Sequence, residues 1–351
     1  MAVNIGVMCI CQMSKLWPNV AKYAGVELTE ENLLNNMEGL KQATGYDSEQ
    51  VMLAVLPLFH AYGLTVTTLL PLCTGAQVVV PERFVPRQVL QLIEQHRVSC
   101  LIAVPAQYRV LAKEPTEIDA SSLWLCIAGG ERLPESVAVA FEKKFGKRLA
   151  QGYGTTELAP VVSYTPPDQK PPFASVGRPL PNIKVTIRDE NEQVLPVGTI
   201  GEVCVEGGTV MQGYRNDPAA TAEKIHNGVY HSSDKGYMDE QGYLYLVGRA
   251  DDLVKVSGEK VYPSEVENAL ETLDGVEEAA VVAFPDEKHG SRLHAFVQVR
   301  EGFSHSEASL RAGCREMMEH FKIPRSFTII PQIPRTISGK TDKKALLASV
   351  V

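Results

Sequence analysis

Four stretches carry side chains suited to nucleotide and acyl chemistry. The first is AQGYGTTELAP, residues 150–160. Gly152 and Gly154 let backbone approach a ligand closely, and Tyr153 offers a ring face for stacking on a planar base. Thr155 and Thr156 present hydroxyls to phosphate oxygens, and Glu157 is a carboxylate suited to Mg²⁺ beside phosphate and water. A connecting loop with a helix-capping Glu is the plainer alternative. The second stretch runs from Tyr230 to Glu267, where Asp234 precedes a Gly turn and Arg249 ends a strand pattern. A carboxylate accepts both hydroxyls of a ribose, and a guanidinium adds a fork of donors. A surface hairpin closed by DEQG has the same composition. The third is LPLFHAYGL, where His60 follows an apolar run, a setting more typical of a half-buried, satisfied histidine than of a catalyst. The fourth is PRTISGKTDKKAL, residues 334–346. Alone, Lys340 reads as one charge of a solvated basic tail, although the cluster from Lys340 to Lys344 also suits a phosphate.

The elements that must position these residues alternate between strand and helix from Val51 to about Gly130. AQVVV (76–80), CLIAVPAQ stopped by Pro105, and LWLCIAGG are strand patterns. PRQVLQLIEQHRVS sets Val89, Leu90, Leu92 and Ile93 at helical spacing behind Pro86. PESVAVAFEKKFG is a helix with Pro134 in its first turn and Gly146 at its C-terminal end. This alternation predicts a mainly parallel sheet with both faces covered. After Ser175, short alternating strands broken by Gly, Pro and Asn predict a small antiparallel sheet or barrel. From about Asp251 an α+β region begins. It holds a helix PSEVENALETLDGV with Ser264 as its cap, strands EEAAVVAFPD and LHAFVQVR, and a helix from about Glu307 to His320.

The fold class is therefore α/β: a parallel-sheet region over about 25–174, a β-rich region over about 175–250, and a C-terminal α+β domain over 251–351. A chain of 351 residues exceeds the usual single-core size. A net charge of −8 excludes a global basic footprint for nucleic acid. Seven cysteines match no zinc or disulfide spacing, and most sit in apolar runs, so a reducing cytoplasmic setting is expected. The first thirteen residues lack a basic n-region and are too short to span a bilayer.

In order, LPLFHAYG, AGGERLP, GYGTTE, GEVCVEGGTVMQGYRNDPAAT, SDKGYMDEQGYLYLVGRADDLVKVSGEKVYPSEVE and PRTISGK resemble the adenylate-forming superfamily. That superfamily includes acyl-CoA synthetases, aryl-CoA ligases, peptide-synthetase adenylation domains and beetle luciferases. Within it, VYPSEVE and PRTISGK look most like the acyl- and aryl-CoA ligases. The resemblance implies an acid–thiol ligase that uses ATP and Mg²⁺ to make an acyl-adenylate, then transfers the acyl group to coenzyme A. It implies that Tyr153 stacks on adenine, that Thr156 contacts the phosphate with Gly152, Gly154 and Thr155 also in the nucleotide site, and that Glu157 holds Mg²⁺. Asp234 and Arg249 would grip the ribose. Gly129, Gly130 and Glu131 would line the adenine and acyl pockets, and His60 would sit near the acyl pocket and thiol tunnel. Asp251 matches the hinge, and the loop with Lys255, Ser257, Gly258 and Glu259 would swing in for thioester formation. Lys340 would neutralise the charge built up during adenylation.

The chain also departs from the pattern. The family carries a Ser/Thr/Gly-rich loop ending in Pro-Lys-Gly before the matched region. Here Gly25 and Val26 match, but Ala24 stands at the lysine position, with Lys22 the alternative after a shift. No Ser-Gly-Thr-Thr-Gly run precedes it. This predicts an N-terminally truncated form, with a catalytically impaired AMP- or acyl-CoA-binding homologue as the alternative function. It also predicts an apolar sheet face left bare unless the unmatched N-terminal segment or another chain covers it, and hence self-association or a partner. The family's Thr-Gly-Asp is Ser232-Ser233-Asp234, so Ser233 must adopt backbone that Gly tolerates better.

Overall fold

The computed structural model describes residues 25–165, 172, 174–286, 290–336 and 340–350, and the backbone of 8–10. The stretch holding Lys22 and Ala24, and Gly339 beside Lys340, lie outside the described residues. The chain divides into two compact units, 1–232 with 237–245, and 233–236 with 246–351.

The first unit is built on a five-stranded parallel sheet. Its order is Gln77–Val79, Val51–Leu53, Cys100–Ala103, Leu125–Ala128, Ala150–Gln151. Side chains alternate across a strand, and here both sets are apolar. Leu53, Leu101 and Cys126 pack with Val89, Leu90, Ile93 and Phe141 of the helices Pro86–Gln95 and Glu135–Phe145. Met52, Ile102 and Ile127 pack on the other side with Met37, Leu40 and Leu70. Both faces of this sheet are thus covered among the described residues, and the bare face expected from the sequence is not found there. The cover on the second side comes from a helix that the sequence reading passed over, Glu30–Thr44, opened by a Thr29 cap that accepts from Asn32 N–H. Burial pushes the Cys100 and Cys126 thiols up to about 12, so they behave as apolar side chains. Cys73 departs from that expectation and is exposed.

Pro86 does open its helix, and Gly146 closes Glu135–Phe145 in a left-handed conformation, φ 62°. Pro105 ends the strand Cys100–Ala103 and starts a helix, Pro105–Lys113, in place of further strand. The β-rich region holds an antiparallel sheet ordered Ile183–Arg188, Gly201–Gly207, Val229–Met238, Ile225–His226. A three-stranded antiparallel sheet, Tyr153–Gly154, Val161–Tyr164, Arg178–Pro179, carries the Gly-rich stretch.

In the second unit, the long antiparallel pair Val276–Asp286 and Gly290–Val299 packs on the helices Pro263–Glu271 and Glu307–Met317 through Val266, Leu270, Val281, Ala295, Leu310 and Cys314. Two expectations are corrected. Ser264 does not cap Pro263–Glu271; its hydroxyl donates to Val247 C=O at 2.7 Å. The helix expected to reach His320 ends at Met317, and His320–Lys322 forms a separate 3₁₀ turn. No helix among the described residues is long and apolar enough to cross a membrane.

Candidate functional site

Ligands of open α/β sheets bind at the carboxyl ends of the strands. Two of the candidate stretches sit there, on neighbouring strands. Gly129–Glu131 follows Leu125–Ala128, and Gly152–Glu157 follows Ala150–Gln151. Backbone bonds hold them in place: Gly129 N–H donates to Ala103 C=O (3.1 Å) and Gly152 N–H to Ala128 C=O (3.0 Å). Gly130 sits at φ 85°, where a side chain is strained. Gln151 accepts from Leu133 N–H and so joins the two loops.

The Gly-rich stretch is a short strand, Tyr153–Gly154, followed by a 3₁₀ turn, Thr156–Leu158. Glu157 is half-buried, and its Oε1 accepts from the Tyr214 hydroxyl at 2.9 Å. Its own C=O accepts from Met211 N–H at 2.9 Å. Burial, and then the nearby Glu157 carboxylate and Tyr214, push the Tyr230 phenol well above its usual range, so Tyr230 stays a neutral neighbour of that carboxylate. Thr155 Oγ1 is buried and has no hydrogen-bond partner among the described residues. A buried hydroxyl left unpaired costs about 1–3 kcal/mol. A phosphate oxygen would satisfy it, and Glu157 Oε2 would remain for a cation. These residues fit a Mg²⁺–nucleotide.

Sequence reasoning missed the groups that hold this turn. Asn36 is fully buried on the helix Glu30–Thr44. Its Nδ2 donates to Leu158 C=O (3.1 Å) and Val161 C=O (2.7 Å), and its Oδ1 accepts from Val161 N–H (3.3 Å). One turn earlier, Asn32 donates to the C=O groups of Gly208 (2.8 Å) and Val210 (3.0 Å). Two asparagines four apart on the apolar face of a helix were the available signal, since buried amides need partners. Tyr214 had no local signal.

His60 caps the short helix Ala61–Leu64, and its Nδ1 accepts from Tyr62 N–H at 3.2 Å. It is half-buried, beside exposed Leu58 and Phe59.

The second unit holds the remaining candidates. Asp234 Oδ1 lies 3.9 Å from Arg249 Nε, and Arg249 Nη2 lies 3.9 Å from Asp251 Oδ2. Asp251 is exposed in the 3₁₀ turn Ala250–Asp252. Ser233 has φ 62° and is buried, so the left-handed backbone foreseen from its neighbour motif is present with a Cβ on it. Lys255, Ser257, Gly258 and Glu259 form an exposed hairpin, Val254–Val256 with Glu259–Val261. Its two turn residues have φ 54° and 90°, the signature of a type I′ turn. Lys340 is exposed, and its C=O accepts from Thr336 N–H at 2.7 Å.

Residues 22–215 match the AMP-binding enzyme family, and residues 265–340 match the AMP-binding enzyme C-terminal domain. A long-chain-fatty-acid–CoA ligase of Escherichia coli O6:H1 is 34% identical over 92% of this chain and 58% of its own length. A feruloyl-CoA synthase of Amycolatopsis is 33% identical over 96% of this chain and 69% of its own length. Among solved structures, ATP-bound MatB from Rhodopseudomonas palustris superposes with a TM-score of 0.88, at 28% identity, covering 94% of this chain and 66% of that one. The chain thus spans little more than half of the long-chain ligases it matches. With both family models matched in order, and a relative of this identity aligned along nearly the whole chain, the protein belongs to the AMP-binding, adenylate-forming enzyme family.

Proposed function

We propose that this chain acts as an ATP-dependent acid–thiol ligase of the acyl- or aryl-CoA synthetase type. In the first half-reaction a carboxylate attacks the α-phosphorus of ATP, forming an acyl-adenylate and releasing pyrophosphate. In the second, the thiol of coenzyme A attacks the acyl carbon and AMP leaves. The observation that carries this reading is the Thr155–Glu157 turn, where an unpartnered buried hydroxyl adjoins a carboxylate fixed through one oxygen. Relatives named as long-chain-fatty-acid, feruloyl and sulfoacetate CoA ligases support it.

In this reading Tyr153 stacks on the base, Gly129–Glu131 line the base and acyl pockets, and Asp234 with Arg249 binds the ribose. Glu157 would hold Mg²⁺, which supplies charge neutralisation on the phosphates. His60, fixed by its bond to Tyr62, borders the acyl pocket. Lys340 offsets the negative charge developing on the α-phosphate and the attacking carboxylate. Residues 1–250 act as the large adenylation domain and residues 251–351 as a mobile small domain, with Asp251 as hinge, although the compact units divide at 245/246 and join 233–236 to the second; the Lys255–Glu259 hairpin serves the thioester step. The setting is cytoplasmic, and self-association or a covering partner belongs to the same reading; a monomer by light scattering removes self-association.

Carboxylate-dependent exchange of labelled pyrophosphate into ATP tests the proposal. Exchange with fatty or aryl acids is expected, and Lys340→Ala should abolish it while sparing thioester formation from supplied acyl-adenylate. AMP binding with no exchange for any acid refutes the ligase reading and leaves a nucleotide- or acyl-CoA-binding homologue.

A further inference from the structure

One side-chain cluster in the first unit takes no role in the chemistry above. On the antiparallel sheet, Val205 and Tyr230 point into an apolar core. Their strand neighbours Cys204 and His231 point the other way, since successive side chains alternate, and Glu202 shares the face of Cys204. There Glu202, Cys204 and His231 converge. The Cys204 Sγ lies 3.5 Å from His231 Nδ1, and Glu202 Oε2 lies 3.5 Å from the same nitrogen. All three ligand atoms fall within 4.8 Å of one another. The His231 side chain is only 9% exposed, and its Nε2 is buried with no hydrogen-bond partner among the described residues.

The N···O separation is long for a hydrogen bond, the S···N separation is an ordinary one for sulfur, and both suit a metal. Tetrahedral zinc with sulfur at about 2.3 Å and nitrogen or oxygen at about 2.1 Å separates S from N by about 3.6 Å and N from O by about 3.4 Å. A second group flanks the first. His226 Nδ1 lies 2.7 Å from Glu192 Oε1, the His226 and His231 rings are 4.6 Å apart, and one ligand atom of each of Glu192, His226 and His231 falls within 4.8 Å of the others. Glu192 and His226 thus form a carboxylate–imidazole pair lying against the His231 ring, beside the first group. Arg188, the ladder partner of Glu202, turns its Nε to Thr186 Oγ1 at 3.1 Å.

We propose that Glu202, Cys204 and His231 bind one divalent transition-metal ion of the zinc class, with the Glu192–His226 pair beside it. Thiolate and imidazole favour zinc or cobalt over Mg²⁺ and Ca²⁺. A thiolate and a carboxylate balance the charge of the ion, and the thiol proton leaves to solvent on binding. The ion ties the strand Gly201–Gly207 to Val229–Met238. Its place is structural, on the β-rich region, and it is separate from the Mg²⁺ assigned to Glu157.

The test uses the full chain, stripped with a chelator and titrated with Co²⁺ by absorption and with Zn²⁺ by thermal melting. One tight equivalent is expected, with a sulfur-to-cobalt charge-transfer band and a raised melting temperature. Cys204→Ser should remove the band, and Glu202→Gln, at a half-buried position that leaves the fold intact, should remove the melting shift. Absence of a saturable equivalent overturns the proposal. So does a band that survives both Cys204→Ser and Glu202→Gln, which would place the metal at an exposed thiol such as Cys73.

Discussion

Gly152 and Gly154 belong to one motif, yet the structure assigns them different tolerances. A Cβ on Gly154 would stand 2.0 Å from Pro160 O, 2.9 Å from Pro160 C and 3.0 Å from Val161 Cα. All three are backbone atoms. An ordinary C···O contact is about 3.3 Å, so the Pro160 carbonyl must retreat by about 1.3 Å. It cannot do so alone, because Val161 is bonded through both N–H and C=O to buried Asn36. Overpacking of this kind costs about 1–3 kcal/mol. At about 2 kcal/mol, a body of this size melts about 4–8 °C lower. A Cβ on Gly152 meets Ile127 Cγ2 and Ser163 O at 3.4 Å, which is contact without clash. Gly154→Ala should therefore melt well below wild type and bind AMP more weakly, while Gly152→Ala stays within about 1 kcal/mol. Differential scanning fluorimetry with and without AMP measures both. A Gly154→Ala melt within about 1 °C of wild type, or equal losses for the two variants, refutes the reasoning.

Tyr214→Phe removes the hydroxyl on Glu157 Oε1, a charge-assisted bond of about 1.5–3 kcal/mol; the Mg²⁺ concentration for half-maximal exchange should rise about tenfold, and no change would separate Tyr214 from the metal. Gly at position 233 should be more stable than Ala there by about 1 kcal/mol in urea unfolding, because φ is 62°; Ala equal to Gly would mean that this backbone relaxes. Burial first, and then Arg292, hold the His294 imidazole below its usual range, against the opposing pull of Glu307. The unfolded chain then takes up that proton more readily, so stability of the second unit is full above about pH 6.5 and falls as the pH drops below it. His294→Gln should flatten this portion of the pH–stability curve, and an unchanged slope would assign it to another group.

Much of this protein could be read from local sequence. Pro86 and Gly146 mark helix ends because a fixed φ and a missing Cβ act on the residue itself. The parallel sheet was legible because strands covered on both faces are apolar at every position, as in CLIA and LCIA. The stretch GYGTTE, with Lys340, Asp234 and Arg249, pointed to a family because order and spacing survive along the chain. Other features depend on residues far apart in sequence. Tyr214 reaches Glu157 across 57 positions, and Asn36 reaches Val161 across 125. Ser264 looked like a helix cap until the chain path brought Val247 C=O to its hydroxyl. Gly154 is small for the Pro160 carbonyl as much as for any ligand. The Glu202–Cys204–His231 convergence follows no metal-binding spacing, because three strand positions meet only through the register of the sheet. Sequence determined many of the elements and the residue types of the candidate site, since propensity and motif are local. The partners that fix each side chain were decided by tertiary structure, since hydrogen bonds and steric limits act through distances that only the folded path sets.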